Sequence, residues 1–100
     1  MIYHETPAHH GARLRGRAVV SVHLMSTLLG AAGTAELVDF AARIGMRPGW
    51  IQHPGTHREH FDLMGVGRIE AARLAGVEQV DRREFVARLH ARRLAMGGGR

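Results

Sequence analysis

The chain contains no cysteine and no lysine. Without thiols there is neither a disulfide nor a thiolate metal site, so the fold must rest on packing, and the composition fits a reducing compartment. The cytoplasm is the expected location. No run reaches the roughly 18 apolar residues of a membrane-spanning helix. The N-terminus also lacks the charged, then apolar, then small-residue order of a signal peptide. With lysine absent, all 14 basic residues are arginine, and the formal net charge is +5. Coding bias in a GC-rich genome accounts for such usage, while the guanidinium fork also suits bidentate contact with phosphates and carboxylates. The charge supports an anionic partner and does not separate nucleic acid from a small phosphorylated ligand.

A length of 100 residues is expected to hold one core and no second domain. Residues 1–4 form a short apolar opening, a strand stopped by Pro7 with His4 and Glu5 at its end. Residues 6–17 carry Pro7, the pair His9-His10 and the alternating Arg13, Arg15 and Arg17, which predicts a loop or mobile basic arm. The histidine pair is a poor metal motif, because neighbours in an extended chain point to opposite faces. Residues 18–25 are the best strand: Val20, Val22 and Leu24 share one face, and Val19, Ser21, His23 and Met25 the other. Two apolar faces predict a central strand covered on both sides. His23 is then either a satisfied core histidine or a site residue.

Gly30 to Gly33 lacks the lysine or third glycine of a phosphate loop and reads as a connection. Thr34 is the expected cap of a first helix carrying Leu37, Phe40, Ala41 and Ile44 inward and closed by Gly45. A second helix is expected over 63–75, closed by Gly76, then a short strand at 77–80. Asp81 with Glu84 forms a capping box, and Val80 with Phe85 a hydrophobic staple, at the start of a third helix. Its predicted buried stripe is Phe85, Val86, Leu89 and Leu94, with Arg82, Arg83, Arg88, Arg92 and Arg93 outside or flanking. The order implies a compact α/β domain over residues 1–95, one small sheet packed with about three helices, followed by a disordered tail at 96–100.

Titratable groups concentrate in residues 50–62, where His53, His57, His60, Arg58, Glu59 and Asp62 surround a Pro54-Gly55 turn. His57, His60 and Asp62 form a candidate metal set, with His23 or His4 as a further ligand from a neighbouring strand. The same groups suit metal-free acid–base chemistry, with Asp62 orienting His60 or His23 as proton carrier and Arg58 or Arg68 holding a phosphate. No nucleophile signature supports a covalent mechanism. A binding module is the third reading: Trp50 and Phe61 as ring faces, His23, His60 and Gln52 as donors, and Arg47, Arg58 and Arg68 as cationic forks. Against these stand the structural alternatives that Trp50 and Phe61 plug the core and Asp62 caps the next helix.

At Glu36-Leu37, Phe40-Ala41, Ile44-Gly45, Trp50, Gln52, Pro54-Gly55-Thr56, His60-Phe61-Asp62, Arg68, Ala72 and Gly76, the chain resembles a family of small bacterial and phage proteins known only as a domain of unknown function, family 4031. The resemblance spans roughly residues 1–95 and takes in His23-Leu24 and Arg83-Glu84. It implies a shared site of His23, His60, Asp62 and Arg68 and brings no established activity. Its members usually carry an acid at the end of the first strand, where this chain has His4 followed by Glu5. The segment between His23 and Glu36 is longer than usual, and the extra residues are expected to cover the site or alter an oligomer contact.

The leading expectation is a small binding protein for a nucleotide-like or otherwise phosphorylated ligand, possessing a site of His23, Gln52, Arg58, His60, Asp62 and Arg68, and sequestering that ligand. A pocket deep enough for a nucleotide is expected to need a second subunit, hence a homo-oligomer. The alternatives are a metal-dependent or histidine-based phosphoesterase or nuclease using His57, His60 and Asp62, with His23, and a nucleic-acid-binding module using the third helix and the basic arm. The cofactor is left open.

Overall fold

A computed structural model describes residues 1–97 of the chain. Its centre is the strand that the sequence marks most strongly. β4, Ser21–Ser26, lies between β1, Ile2–Glu5, and β5, Phe61–Met64, antiparallel to both. β6, Glu78–Val80, adds to the far side of β1 in parallel, completing a four-stranded sheet of order β5-β4-β1-β6. Three helices pack on it: α1, Gly30–Arg43; α2, Val66–Leu74; and α3, Arg82–Ala95. The fold is α/β: among the described residues, one four-stranded sheet and a separate two-stranded hairpin with three α-helices. No described helix is long and apolar enough to cross a membrane.

Strand alternation separates two cores. On one face Ile2, Val22, Leu24, Phe61 and Leu63 pack with Leu37, Phe40 and Ala41 of α1 and Ala72 of α2. On the other, Tyr3, Met25 and Val80 meet Phe85 and Leu89 of α3. The second cluster is smaller and takes in only Tyr3, Met25 and Val80 from the sheet. Above β4 and β5 the same face carries His23 and Asp62 in place of a covering helix.

Local rules explain most element ends. The Asp81 side chain accepts the Glu84 N–H at 2.8 Å, the N-cap half of the box, while the Glu84 carboxylate accepts from Arg88; Val80 packs with Phe85, so the staple forms. Gly45 follows α1 at φ +84°, the left-handed conformation that glycine adopts without strain.

Several expected boundaries move. The arm at 6–17 includes a hairpin of β2, Arg13–Leu14, and β3, Arg17–Ala18, turned by Arg15 and Gly16, both at positive φ. That pair of angles matches the right-handed twist of two paired strands. The first helix starts at Gly30, so Gly30 to Gly33 is its first turn, and Thr34 lies inside it with its hydroxyl on the Gly30 carbonyl and on Glu59. The turn entering the helix needs glycine at 33: a Cβ there would lie 2.3 Å from the Leu28 carbonyl oxygen, an approach open only to glycine. Leu63 and Met64 belong to β5, because pairing with β4 outweighs their helical propensity. The α3 stripe also differs: Val86 and Leu94 are 53% and 59% exposed, whereas Arg92 is buried. Arg92 donates to the carbonyls of Ser26, Leu28 and His57, tying α3 to two loops. At the C-terminus Met96 caps α3, and the remainder of the expected tail, 98–100, lies outside the described residues.

Candidate functional site

The uncovered half of the sheet face is where the chain gathers its ionisable groups. His23 and Asp62 are direct cross-strand partners on β4 and β5. His60 stands two residues before Asp62, so the strand period turns it to the same face. A two-way backbone bridge with Gln52 holds it there: Gln52 N–H to the His60 carbonyl at 2.8 Å, and His60 N–H to the Gln52 carbonyl at 3.1 Å. Buried Glu59 secures the loop between them by accepting the Gly55 N–H and the Thr34 hydroxyl. The dense polar loop is thus a built support for His60.

From the other side β1 presents Glu5, a buried carboxylate that accepts the main-chain N–H of His23 at 2.7 Å and the Nδ1–H of its ring. Burial opposes ionisation of Glu5, yet the hydrogen bonds from His23 prevail and hold its carboxyl below the ordinary glutamate value. The Glu5 hydrogen bond raises the His23 pKa in return, against burial, with the charges of Glu5 and Asp62 adding to the effect. Glu5 is therefore the group that orients His23. Nε2 of His23 lies 3.9 Å from Asp62 Oδ1, and Nε2 of His60 lies 3.2 Å from the same oxygen. The contact with His60 lowers the Asp62 pKa against partial burial, aided by the charges of His60, His23 and His53. Nδ1 of His60 sits 2.5 Å from the Arg58 carbonyl oxygen. The two imidazoles are 5.1 Å apart, edge to face.

Depressions adjoin this cluster. The largest, about 500 Å³, is lined by Trp50, Gln52, Asp62 and Arg68 above an apolar floor that includes Met46 and Met64. Trp50 is 46% exposed, and the guanidinium carbons of Arg47 and Arg68 each lie 6.0 Å from its ring centroid. Arg68 is fixed by donating to the Ile44 carbonyl at the end of α1. A smaller depression brings Arg58 beside His23, His60, Phe85 and Leu89. Another is walled by His10, Gly11 and Ala12 of the arm, with Ser21, His23, Asp62 and Met64.

The structure thus places His23, His60 and Asp62 in mutual contact, Gln52 and Arg68 on one side and Arg58 on the other. His57 stands outside the two groupings of possible ligand atoms among the described residues, which are His23, His60, Asp62 and Glu5, His10, His23. Its carbonyl serves Arg92 instead. His4 is buried, with Nδ1 near the Glu5 carbonyl oxygen. Phe61 is fully buried, so it plugs the core and offers no ring face, whereas Asp62 caps no helix: α2 begins after Gly65. Sequence reasoning missed Glu5 and His10. Glu5 is signalled by its place at the end of the first strand; His10 carries no sequence signal and stands only at the wall of the cleft, 3.8 Å from Glu5.

The chain belongs to the family described as protein of unknown function (DUF4031). The match covers residues 11–92, from the arm to the buried Arg92, and leaves β1 with Glu5 outside it. No curated protein and no solved structure matches the chain.

Proposed function

We propose that the cleft between the arm, the loop at 47–60 and α2 binds a nucleotide-like, phosphorylated ligand and retains it unchanged. The observation that carries this reading is the half-exposed Trp50 ring on the wall of a cavity of about 500 Å³, with Arg68 and Gln52 beside it. A planar heterocycle stacks on such a ring, amide and imidazole groups read its polar edge, and arginine neutralises phosphate. The volume lies within the usual range of small-molecule pockets. Because the cleft is open along one side, the proposal includes a second copy of the chain that closes it, and an intracellular setting where such ligands are abundant.

Trp50 is the single tryptophan, so its fluorescence reports the cavity directly. Titration with a nucleoside monophosphate should quench and shift the emission saturably, with weaker response to the bare nucleoside and to inorganic phosphate. Calorimetry on Trp50→Leu should show at least a tenfold weaker association. Unchanged fluorescence across purine and pyrimidine monophosphates would overturn the reading.

A phosphoesterase is the second reading, favoured by two imidazoles converging on one carboxylate, an arrangement able to move a proton at a phosphate ester. Product release from a phosphodiester, lost in His60→Ala, separates it from simple retention. The nucleic-acid reading gains less from α3: Arg88 pairs with Glu78 and Glu84 and covers Tyr3, and Arg92 is buried.

A further inference from the structure

The His23–His60–Asp62 cluster has a pairing problem that protein groups alone solve only by adding charge. A carbonyl and a carboxylate are acceptors, so the Nδ1 atom of each imidazole must carry a proton: His60 donates to the Arg58 carbonyl oxygen and His23 to Glu5. In the neutral rings the Nε2 atoms then bear lone pairs. Both aim at Asp62 Oδ1, from 3.2 and 3.9 Å. Two lone pairs facing an anionic oxygen repel, and a positive centre is required among the three atoms.

We infer that this centre is a divalent first-row transition-metal ion, zinc foremost, held by His23 Nε2, His60 Nε2 and an Asp62 carboxylate oxygen. The three donor atoms lie within 4.8 Å of one another. A tetrahedral ion with bonds of about 2.0–2.1 Å keeps its ligand atoms roughly 3.3 Å apart, so the observed separations need only small side-chain adjustments. Two imidazoles with one carboxylate select first-row transition ions over magnesium or calcium, which take oxygen ligands. Each histidine also has the outer partner that metal-bound imidazoles use: a buried carboxylate for His23 and a backbone carbonyl for His60, both on Nδ1. Glu5 is accordingly a positioning residue that fixes the tautomer and aim of His23.

The overlapping group of Glu5, His10 and His23 serves less well. There Glu5 already receives two hydrogen bonds from His23, and His23 faces it through the protonated Nδ1. His10 reaches Glu5 only at 3.8 Å from the surface arm. Because the side chains of His23 and Asp62 are 36% and 44% exposed, the ion keeps an open face toward the cleft. That face suits a phosphate oxygen or water. It also lets Asp62 border an anion-binding cavity without repelling its ligand.

Direct titration tests the site. Chelator-treated protein is titrated with Zn²⁺ by calorimetry and with Co²⁺ by visible absorption, with no organic ligand present. One equivalent should bind, and Co²⁺ should develop the intense d–d bands of a four- or five-coordinate ion. His60→Ala and Asp62→Asn should each weaken binding tenfold or more, and Glu5→Gln by about 10–100-fold with stoichiometry kept. His10→Ala and His57→Ala should bind as the parent does. Circular dichroism of each variant separates lost ligands from lost fold; His60→Ala and Asp62→Asn change groups outside the apolar core. Absence of stoichiometric binding would overturn the inference and assign the positive centre to protons on the imidazoles. Loss of binding in His10→Ala with retention in His60→Ala would overturn it in favour of the other group. The nucleotide reading stands or falls separately, because metal uptake is measured without nucleotide and Trp50 quenching is scored on its own.

Discussion

Single residues here take roles that their type alone does not disclose. Glu5 and His23 come from strands that meet only in the folded chain, and each sets the other's charge. Tyr3, the single tyrosine, is buried, and burial raises its pKa above the ordinary 10.0 although Arg92 and Arg88 oppose the shift. A raised folded-state pKa gives a stability contribution that is fully present below pH 10 and lost as pH rises through the folded value. Phenolate absorbance at 295 nm should therefore show a midpoint above that of the unfolded chain, with circular dichroism falling in the same alkaline range. A midpoint at the unfolded value would show that Tyr3 is wet. Arg92 supplies a second test at this scale. Replacing it by alanine removes the donor from three carbonyls, and urea unfolding should record a loss of about 2–4 kcal/mol, since buried acceptors left without partners cost more than a formed hydrogen bond returns.

Among the elements, α3 and the loop at 52–60 are the most informative. α3 begins with a cap that is local chemistry: Asp81→Ala should cost about 1 kcal/mol and Asp81→Asn close to nothing by thermal unfolding, because asparagine accepts the same N–H. The loop behaves oppositely, since its anchor is the distant Glu59–Thr34 contact to α1. Glu59→Ala should lower stability by about 1–3 kcal/mol and reduce metal uptake as well, as the strand edge carrying His60 loosens. A variant that melts earlier yet binds metal as the parent does would show that the Gln52 bridge positions His60 alone.

The whole molecule is a sheet with one face covered by two helices and the other by one, and the site occupies the remainder. Charge also acts at this scale. Replacing Arg13, Arg15 and Arg17 by glutamine lowers the formal charge from +5 to +2, as 5 − 3 = 2. These residues are exposed on the hairpin beside the cleft. The triple variant should associate more slowly with a nucleoside monophosphate and show a flatter dependence on salt, with its melting temperature little changed. Stopped-flow measurement of Trp50 emission at low and moderate ionic strength reads both effects.

Sequence alone determined what depends on neighbours along the chain. Alternating apolar residues make β4 a central strand, Asp81 and Glu84 start α3, Gly45 and Gly76 close α1 and α2, and the stretch at 50–62 concentrates the ionisable groups. Tertiary structure decided everything that rests on pairing between distant segments. Register against β4 turned Leu63 and Met64 from helix to strand and set Asp62 opposite His23. Burial of Arg92 and exposure of Leu94 followed from where α3 crosses the loops, which helical period does not specify. The same holds for the site: His60 and Asp62 stand out as a local motif, but Glu5 reaches His23 only because β1 lies beside β4, and hydrogen-bond partners across strands carry no signal in the spacing of residues along one of them.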